Sequence, residues 1–307
     1  MFQFGKVWLS PMESVSDFSF RKLCYDHGAD LTFIEMLYAD AIARQNKAAL
    51  DHVDCYDATP TGIQLLASKP DVLKKALDFI RLKIHEKDRR FSNLSVVDLH
   101  FGCPSPTVIN FGGGPALFKR TQRMTELLTT LKKYSPLPSG IKIRLGLNKL
   151  DKDNKVYLRV IDIANAAGID YMTVHPKLAI DKSMAPVDHT ALKEIIDKAT
   201  VPIVGSGFVV DGPSAGKLLK MGCSAVMVAR AAVGNPWIFE EIKSYLNDGT
   251  MPKVRKREDY ADAWKRYSSV AQKYGTLEKF YEYHKKIFQL RMNGDLGYHA
   301  PSRILNG

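Results

Sequence analysis

Cys103 stands in the segment 96–120, VVDLHFGCPSPTVINFGGGPALFKR, where a β-branched and aliphatic run is broken by Gly102 and Pro104 and a triple glycine follows. A thiol at the end of a buried strand and the start of a loop can reach a ligand. Cysteine is also among the side chains most often packed into a core, so this segment alone leaves a reactive and a structural thiol both open. Gly112, Gly113 and Gly114 permit backbone conformations closed to other residues, or a close approach to a ligand. Other residues able to do chemistry recur along the chain. They are Pro11 and Met12, Glu35 and Met36, Gln64, His100, Lys142 and Arg144 in IKIRLG, His175 in TVH, the triplet Gly205, Ser206 and Gly207, and the pair Ala229 and Arg230. An inward lysine in a parallel strand carries a large desolvation cost unless an anion or polar ligand meets it, which makes Lys142 the hardest of these to explain as packing.

These residues fall within or at the ends of short apolar runs. The strand candidates are residues 7–10, 31–35, 62–66, 96–100, 140–145, 171–175, 202–205 and 225–228. Amphipathic stretches lie between them, such as 71–87, where Val72, Leu73, Ala76, Leu77 and Ile80 share a face, and 156–167, where Val156, Val160, Ile163 and Ala164 do. Strands alternating with helices imply parallel pairing through crossovers, and eight such units predict an α/β chain with a (β/α)8 TIM barrel rather than an open sheet. In that fold the C-terminal ends of the strands face the active site, and the turns after strands seven and eight are common phosphate sites. Gly205, Ser206 and Gly207, with Ala229 and Arg230, occupy those turns. Backbone N–H groups there and a charged fork from Arg230 suit a phosphate.

The composition is that of an ordinary globular protein of 307 residues, 45% hydrophobic. No uncharged apolar run approaches the length of a membrane span, and the opening MFQFGKVWLSPMES lacks the pattern of a signal peptide, so the expectation is a cytoplasmic protein with no membrane contact. Cys24, Cys55, Cys103 and Cys223 lie far apart without paired spacing, against both a zinc site and a disulfide scaffold. Lys and Arg number 44 against 33 Asp and Glu, a formal charge of +11 that favours a polyanionic partner. The pattern changes after Trp237. The stretch 251–259, MPKVRKRED, reads as a linker, and 258–289 reads as helices that form a small second domain. Lys253, Arg255, Lys256, Arg257, Lys265, Arg266, Lys273, Lys279, Lys285, Lys286 and Arg291 concentrate positive charge there, as phosphate contacts to RNA require, with Glu278 and Glu282 interleaved.

Together these residues resemble the tRNA-dihydrouridine synthases, flavoproteins that reduce uridine in tRNA to 5,6-dihydrouridine. The likeness runs nearly end to end. It is carried by SPMESVSDFSFRKLC, by Gln64 with Leu65, by DLHFGCPSPTV with the following GGG, and by KIRLG, TVH, GSG and VARAAVGNPWIF; Val108 and Gly112 also fall at the family's distances from its active cysteine. The resemblance implies a catalytic FMN barrel over residues 1–250 and a basic helical tRNA-binding domain over 251–307. It also implies NADPH as reductant, hydride transfer from flavin N5 to uracil C6, and a proton from Cys103 to C5 as general acid. It assigns Pro11, Met12, Gln64, Lys142, His175, Gly205, Ser206, Gly207, Ala229 and Arg230 to FMN, and His100, Arg144 and Lys177 to the tRNA substrate. No metal and no stable protein partner are implied.

The chain departs from the family's usual pattern at several points. His100 replaces an asparagine, Pro176, Lys177 and Leu178 replace GRT, Ser183 replaces a tyrosine, GSG replaces GNG, and Pro106 and Thr107 replace basic residues. These changes lie mainly on the substrate side and point to a divergent subgroup with an unusual target uridine, or to weakened turnover. Two other readings share the barrel. One is an FMN-dependent dehydrogenase of a free pyrimidine, of the dihydroorotate or dihydropyrimidine type, against which the basic tail and GNPW speak. The other is a non-catalytic RNA-binding relative.

Overall fold

Short β-branched runs can bury both faces only as staves of a parallel sheet covered by helices. In the computed structural model, which describes residues 4–182 and 184–296, they do so as a closed ring. The staves are β1 (Val7–Leu9), β2 (Thr32–Phe33, resumed at Leu37–Tyr38), β3 (Thr61–Leu66), β4 (Leu94–His100), β5 (Ser139–Ile143), β6 (Tyr171–Val174), β7 (Ile203–Ser206) and β8 (Ala225–Val228). Each pairs in parallel with the next. The β8 stave pairs with β1 at Val7↔Val226, and a bridge between Trp8 and Leu31 closes the ring. This is the expected (β/α)8 barrel, with most stave ends one or two residues from their sequence-based positions.

The second stave differs from the single run expected over 31–35. Phe33 pairs with Gly62 and Leu37 with Leu65, so β2 carries one residue more than β3 between these pairs. That bulge turns Glu35 toward the loop after β1, where its carboxylate accepts the Ser14 N–H at 2.5 Å and pairs with His52. Glu35 therefore locks two loops together.

The barrel interior is layered. Trp8, Leu31, Phe33, Val96, Tyr171, Val204, Ala225 and Met227 form a buried cluster near its base, with Trp8 and Tyr171 in edge contact at 5.1 Å between centroids. Gly62 and Gly140 make room for these rings. A Cβ on Gly140 would stand 2.1 Å from Tyr171 Cζ, and one on Gly62 2.3 Å from Phe33 Cε1. Gly140→Ala is accordingly expected to cost about 1–3 kcal/mol, because the ring it strikes is enclosed. Chemical denaturation would show the loss as a lower midpoint, and an unchanged midpoint would contradict this layering.

Helices between the staves cover the outside. Pro70 starts the helix Pro70–His85, which buries Leu73, Ala76, Leu77 and Ile80 on one face, and the helix Val156–Ala167 stops at Gly168 in the left-handed region, φ 63°. The tail forms two helices, Arg257–Tyr274 and Glu278–Met292, separated at Gly275. They dock against the end of the barrel that follows β1. Tyr267 Oη donates to Asp17 Oδ2 at 3.3 Å, His284 Nε2 lies 2.9 Å from Val15 O, and Ser19 and Thr276 share a hydrogen bond of 2.9 Å.

The tail's positive charge is not all available to a partner. Arg291 is buried and donates to Val233 O at 3.1 Å, while Arg255 pairs with Glu240 and Glu241 and lies over the Trp237 ring. These two arginines fasten the tail to the barrel. Lys253, Lys256, Arg257, Lys265, Arg266, Lys273, Lys279 and Lys286 remain exposed. All four cysteines are free and buried. Among the described residues no helix is long and apolar enough to cross a membrane.

Candidate active site

Alternation along the staves sends every second side chain inward, and above the apolar base these become polar. Gln64 on β3, Asp98 on β4 and Tyr171 on β6 meet in the middle of the barrel. Gln64 Nε2 donates to Asp98 Oδ1 at 2.7 Å and Tyr171 Oη donates to Asp98 Oδ2 at 3.1 Å, with Asp98 fully enclosed. Burial pushes the Asp98 carboxyl up to about 6, while Gln64, Lys142 and Tyr171 act to keep it ionised. Donation to Asp98 also fixes the Gln64 amide, leaving its oxygen as the acceptor available to a ligand.

The next layer holds His100 and Lys142, paired across β4 and β5 and each 9% exposed. Burial and the neighbouring Arg144 pull Lys142 down to about 8, against the attraction of Asp98. Burial, with Lys142 and Arg144, holds both His100 and His175 well below the usual imidazole range; Lys177 and Arg230 add to the effect on His175. Both rings are neutral at physiological pH. His100 Nδ1 is buried without a hydrogen-bond partner.

Lys142 and His175 open into a cleft of about 320 Å³, walled further by Ser10, Ser206, Gly207, Phe208, Ala229 and Arg230. The turn after β7 is tight, with Gly207 at φ +99°, and a Cβ there would lie 2.7 Å from the His175 ring. Arg230 follows β8 and stands 4.0 Å from Met184 Sδ through Nη1. Lys177 is 3% exposed with its ammonium 4.7 Å from the Phe208 ring centroid, and Arg230 and Arg144 oppose its charge. Four cations thus converge at this end of the barrel, with Asp98 and Asp181 as the acids that counter them. Such a cleft suits a ligand bearing a phosphate.

Cys103 follows β4 on the same face. It packs with Leu66 and Val108, with Met36 alongside, and is 9% exposed. Burial raises the thiol above its ordinary value, and Glu13 adds to this. The Ser105 N–H, Arg144 and Lys142 pull the other way without reversing it. The group is a protonated thiol, suited to giving up a proton and poorly suited to nucleophilic attack. Gly102 lies against Arg144, whose Nη1 donates to Leu178 O at 2.8 Å. Arg144 therefore braces the thiol loop from below.

The structure brings Lys142, His175, Ser206, Gly207, Ala229 and Arg230 into one cleft and places His100, Cys103 and Arg144 beside it. Gln64 lies deeper in the barrel. Pro11 and Met12 are half-buried just beyond Ser10 and do not line the cleft. Gly205 faces the other way, since a Cβ there would meet Cys223 and Leu218 in the outer layer. Lys177, expected to meet substrate, is folded onto Phe208 at the Arg230 end of the cleft. Ser183 lies outside the described residues. Asp98, Tyr171 and Phe208 were not expected from the sequence. The Asp98 signal was the alternation of Val96, Asp98 and His100 along one face of β4.

A family model described as dihydrouridine synthase (Dus) matches residues 8–298. A tRNA-dihydrouridine synthase B of Pseudomonas syringae pv. tomato is 30% identical over 254 residues, covering 81% of this chain and 72% of the relative. A probable tRNA-dihydrouridine synthase of Rickettsia bellii is 27% identical, covering 88% and 81%. Among solved structures, morphinone reductase superposes with a TM-score of 0.54 at 12% identity, over 82% of this chain and 88% of that one, which supports the barrel fold.

Proposed function

The chain belongs to the dihydrouridine synthase family, and we propose that it reduces a uridine of tRNA to 5,6-dihydrouridine with FMN as bound cofactor and NADPH as reductant. One arrangement carries this reading: a thiol kept protonated by burial stands beside a cleft lined by Lys142 and Arg230, with Arg144 and Lys177 close by. FMN, when bound, supplies the hydride that reaches carbon 6 of uracil.

The chain's own residues do the rest. Arg230, Ser206 and the Gly207 turn hold the phosphate, with Lys177 behind them. Lys142 supplies positive charge to the cleft, and Gln64, fixed by Asp98, offers its amide oxygen to a ligand N–H. His175 is neutral and can accept or donate one hydrogen bond without adding charge. Pro11 and Met12 border the ring site, and Gly205 and Ala229 contribute backbone only. On the substrate side, His100 Nδ1, buried and without a protein hydrogen-bond partner, is assigned to the uracil. Arg144 holds the thiol loop in place and faces the substrate from below. Cys103 donates its proton to carbon 5 as carbon 6 is reduced, which prevents charge from collecting on the pyrimidine.

The division of labour falls near residue 250. The barrel performs the reduction, and the exposed lysines and arginines of the two tail helices hold tRNA. The tail suits this role because it docks beside the loop after β1, on the face where the stave ends gather.

Mapping dihydrouridine in tRNA from cells lacking the protein should show one position missing, and an unaltered map would overturn the reading. Arg230→Ala is expected to weaken FMN binding by about 10- to 100-fold, the scale of one or two charge-assisted hydrogen bonds. Fluorescence titration of the apoprotein measures it, and an unchanged affinity would move the phosphate elsewhere.

A further inference from the structure

The catalytic face carries a second cavity that the chemistry above does not use. It encloses about 390 Å³ between the loops after β2, β3 and β4, and its walls include Tyr38, Leu66, Lys69, Val72, Val108 and Phe111. That volume is in the range of sites that take small ligands. Two of its walls are unusual for a protein surface, since the Phe111 side chain is 77% exposed and Tyr38 46%. Leu66 and Val108 belong at once to this cavity and to the cluster around Cys103. A single layer of side chains therefore separates it from the catalytic thiol.

Its rim is basic. Lys69 and Arg120 enter no ion pair among the described residues. The Arg120 guanidinium lies against Gly112, next to Phe111, with Nη1 2.8 Å from where a Cβ would stand. Arg123 is fixed to the cavity residue Ser68 through a contact of 3.4 Å to its carbonyl and is itself neutralised by Glu126 at 3.2 Å, so the unpaired charge of the rim is that of Lys69 and Arg120. The one acid in the wall, Asp40, is paired with Arg44. Exposed aromatic faces with uncompensated cations around them are what a nucleotide requires, a ring to stack on and charge for the phosphate.

We propose that this cavity receives the base of the tRNA nucleotide adjacent to the uridine being reduced, stacked on Phe111 and Tyr38, with its phosphate against Lys69 and Arg120. The proposal rests on the reading of the chain as a tRNA-reducing enzyme. It explains why the rings of Phe111 and Tyr38 are left open to water beside this cavity. A flanking base anchored one side chain away would hold its neighbour over Cys103, so the cavity contributes to the choice of target uridine.

Phe111→Ala, Phe111→Tyr and wild-type protein should be compared for tRNA affinity, for kcat and KM with tRNA, and for the rate of flavin reduction by NADPH. Phe111→Ala is expected to weaken tRNA binding and raise its KM by about tenfold, the scale of one lost base stack, with Phe111→Tyr close to wild type. Flavin reduction by NADPH should not change. A tRNA made abasic at the occupying neighbour should cost the wild type the same factor and cost Phe111→Ala nothing further. Equal tRNA affinity of wild type and Phe111→Ala, additive losses, or an effect confined to the KM for NADPH would each overturn the proposal. Failure of the wild type to form any dihydrouridine would instead overturn the function, and the affinity comparison would still decide the cavity.

Discussion

Replacing Cys103 by alanine is expected to slow uridine reduction by about a hundred- to ten-thousand-fold, the usual contribution of a positioned general acid, while flavin and tRNA affinity stay near wild type. The thiol touches Leu66 and Val108 and is removed from the phosphate end of the cleft, so its loss leaves cofactor contacts intact. Alanine removes one sulfur atom from a partly open cluster, which limits the effect on stability. Cys103→Ser restores a proton donor of similar shape but much weaker acidity, and should recover a small part of the rate. The decisive reading is a single turnover with prereduced enzyme and unmodified tRNA, which isolates the step that needs the proton. An undiminished rate would remove Cys103 from the acid role.

Lys142→Met should be nearly as damaging, with a loss of about a hundred- to a thousand-fold in kcat, as when a fixed charge is deleted from a water-excluded site. The lysine is 9% exposed and faces Asp98 across the barrel interior. With burial holding its pKa at about 8 and that of Asp98 at about 6, both are ionised between those values, and the ammonium is lost as pH rises above about 8. Wild-type kcat is therefore expected to fall on the alkaline side. An anionic ligand beside Lys142 shifts this limb upward and never downward. In Lys142→Met the limb should vanish with the rate, whereas a purely structural lysine would lower the yield of folded protein and leave the shape of the pH profile intact. Removing the ammonium leaves Asp98 with Gln64 and Tyr171 but without the positive charge that favours its ionised form, so its carboxyl should take up a proton at higher pH than in the wild type.

The barrel was legible because the short apolar runs and the 3.6-period stretches alternate without interruption, and the residues at the run ends gathered where parallel strands must point. What escaped depended on neighbours across the sheet. Gln64 was visible as a polar residue in an apolar run, but its partner Asp98 emerges only from the register of β3 on β4. Gly140 makes room for Tyr171, a residue far away in sequence. GSG reads as one motif, which sets Gly205 with Ser206 and Gly207. Strand alternation turns Val204 and Ser206 inward and Gly205 toward Cys223. Arg255 and Arg291 looked like part of a basic surface, yet their partners Glu240, Glu241 and Val233 lie at the barrel's end. The bulge in β2 had no signature in composition, since it arises from the pairing of Leu37 with Leu65.

Reducing equivalents are expected to pass from this chain to a uridine within tRNA and to no free pyrimidine. Anaerobic mixing of FMN-loaded, prereduced protein with unmodified tRNA, with flavin reoxidation followed by absorbance and dihydrouridine counted afterwards, tests it most directly. Reoxidation should depend on tRNA and yield one dihydrouridine per flavin. Reoxidation by free uracil or uridine at an equal or higher rate, or none with tRNA, would contradict it.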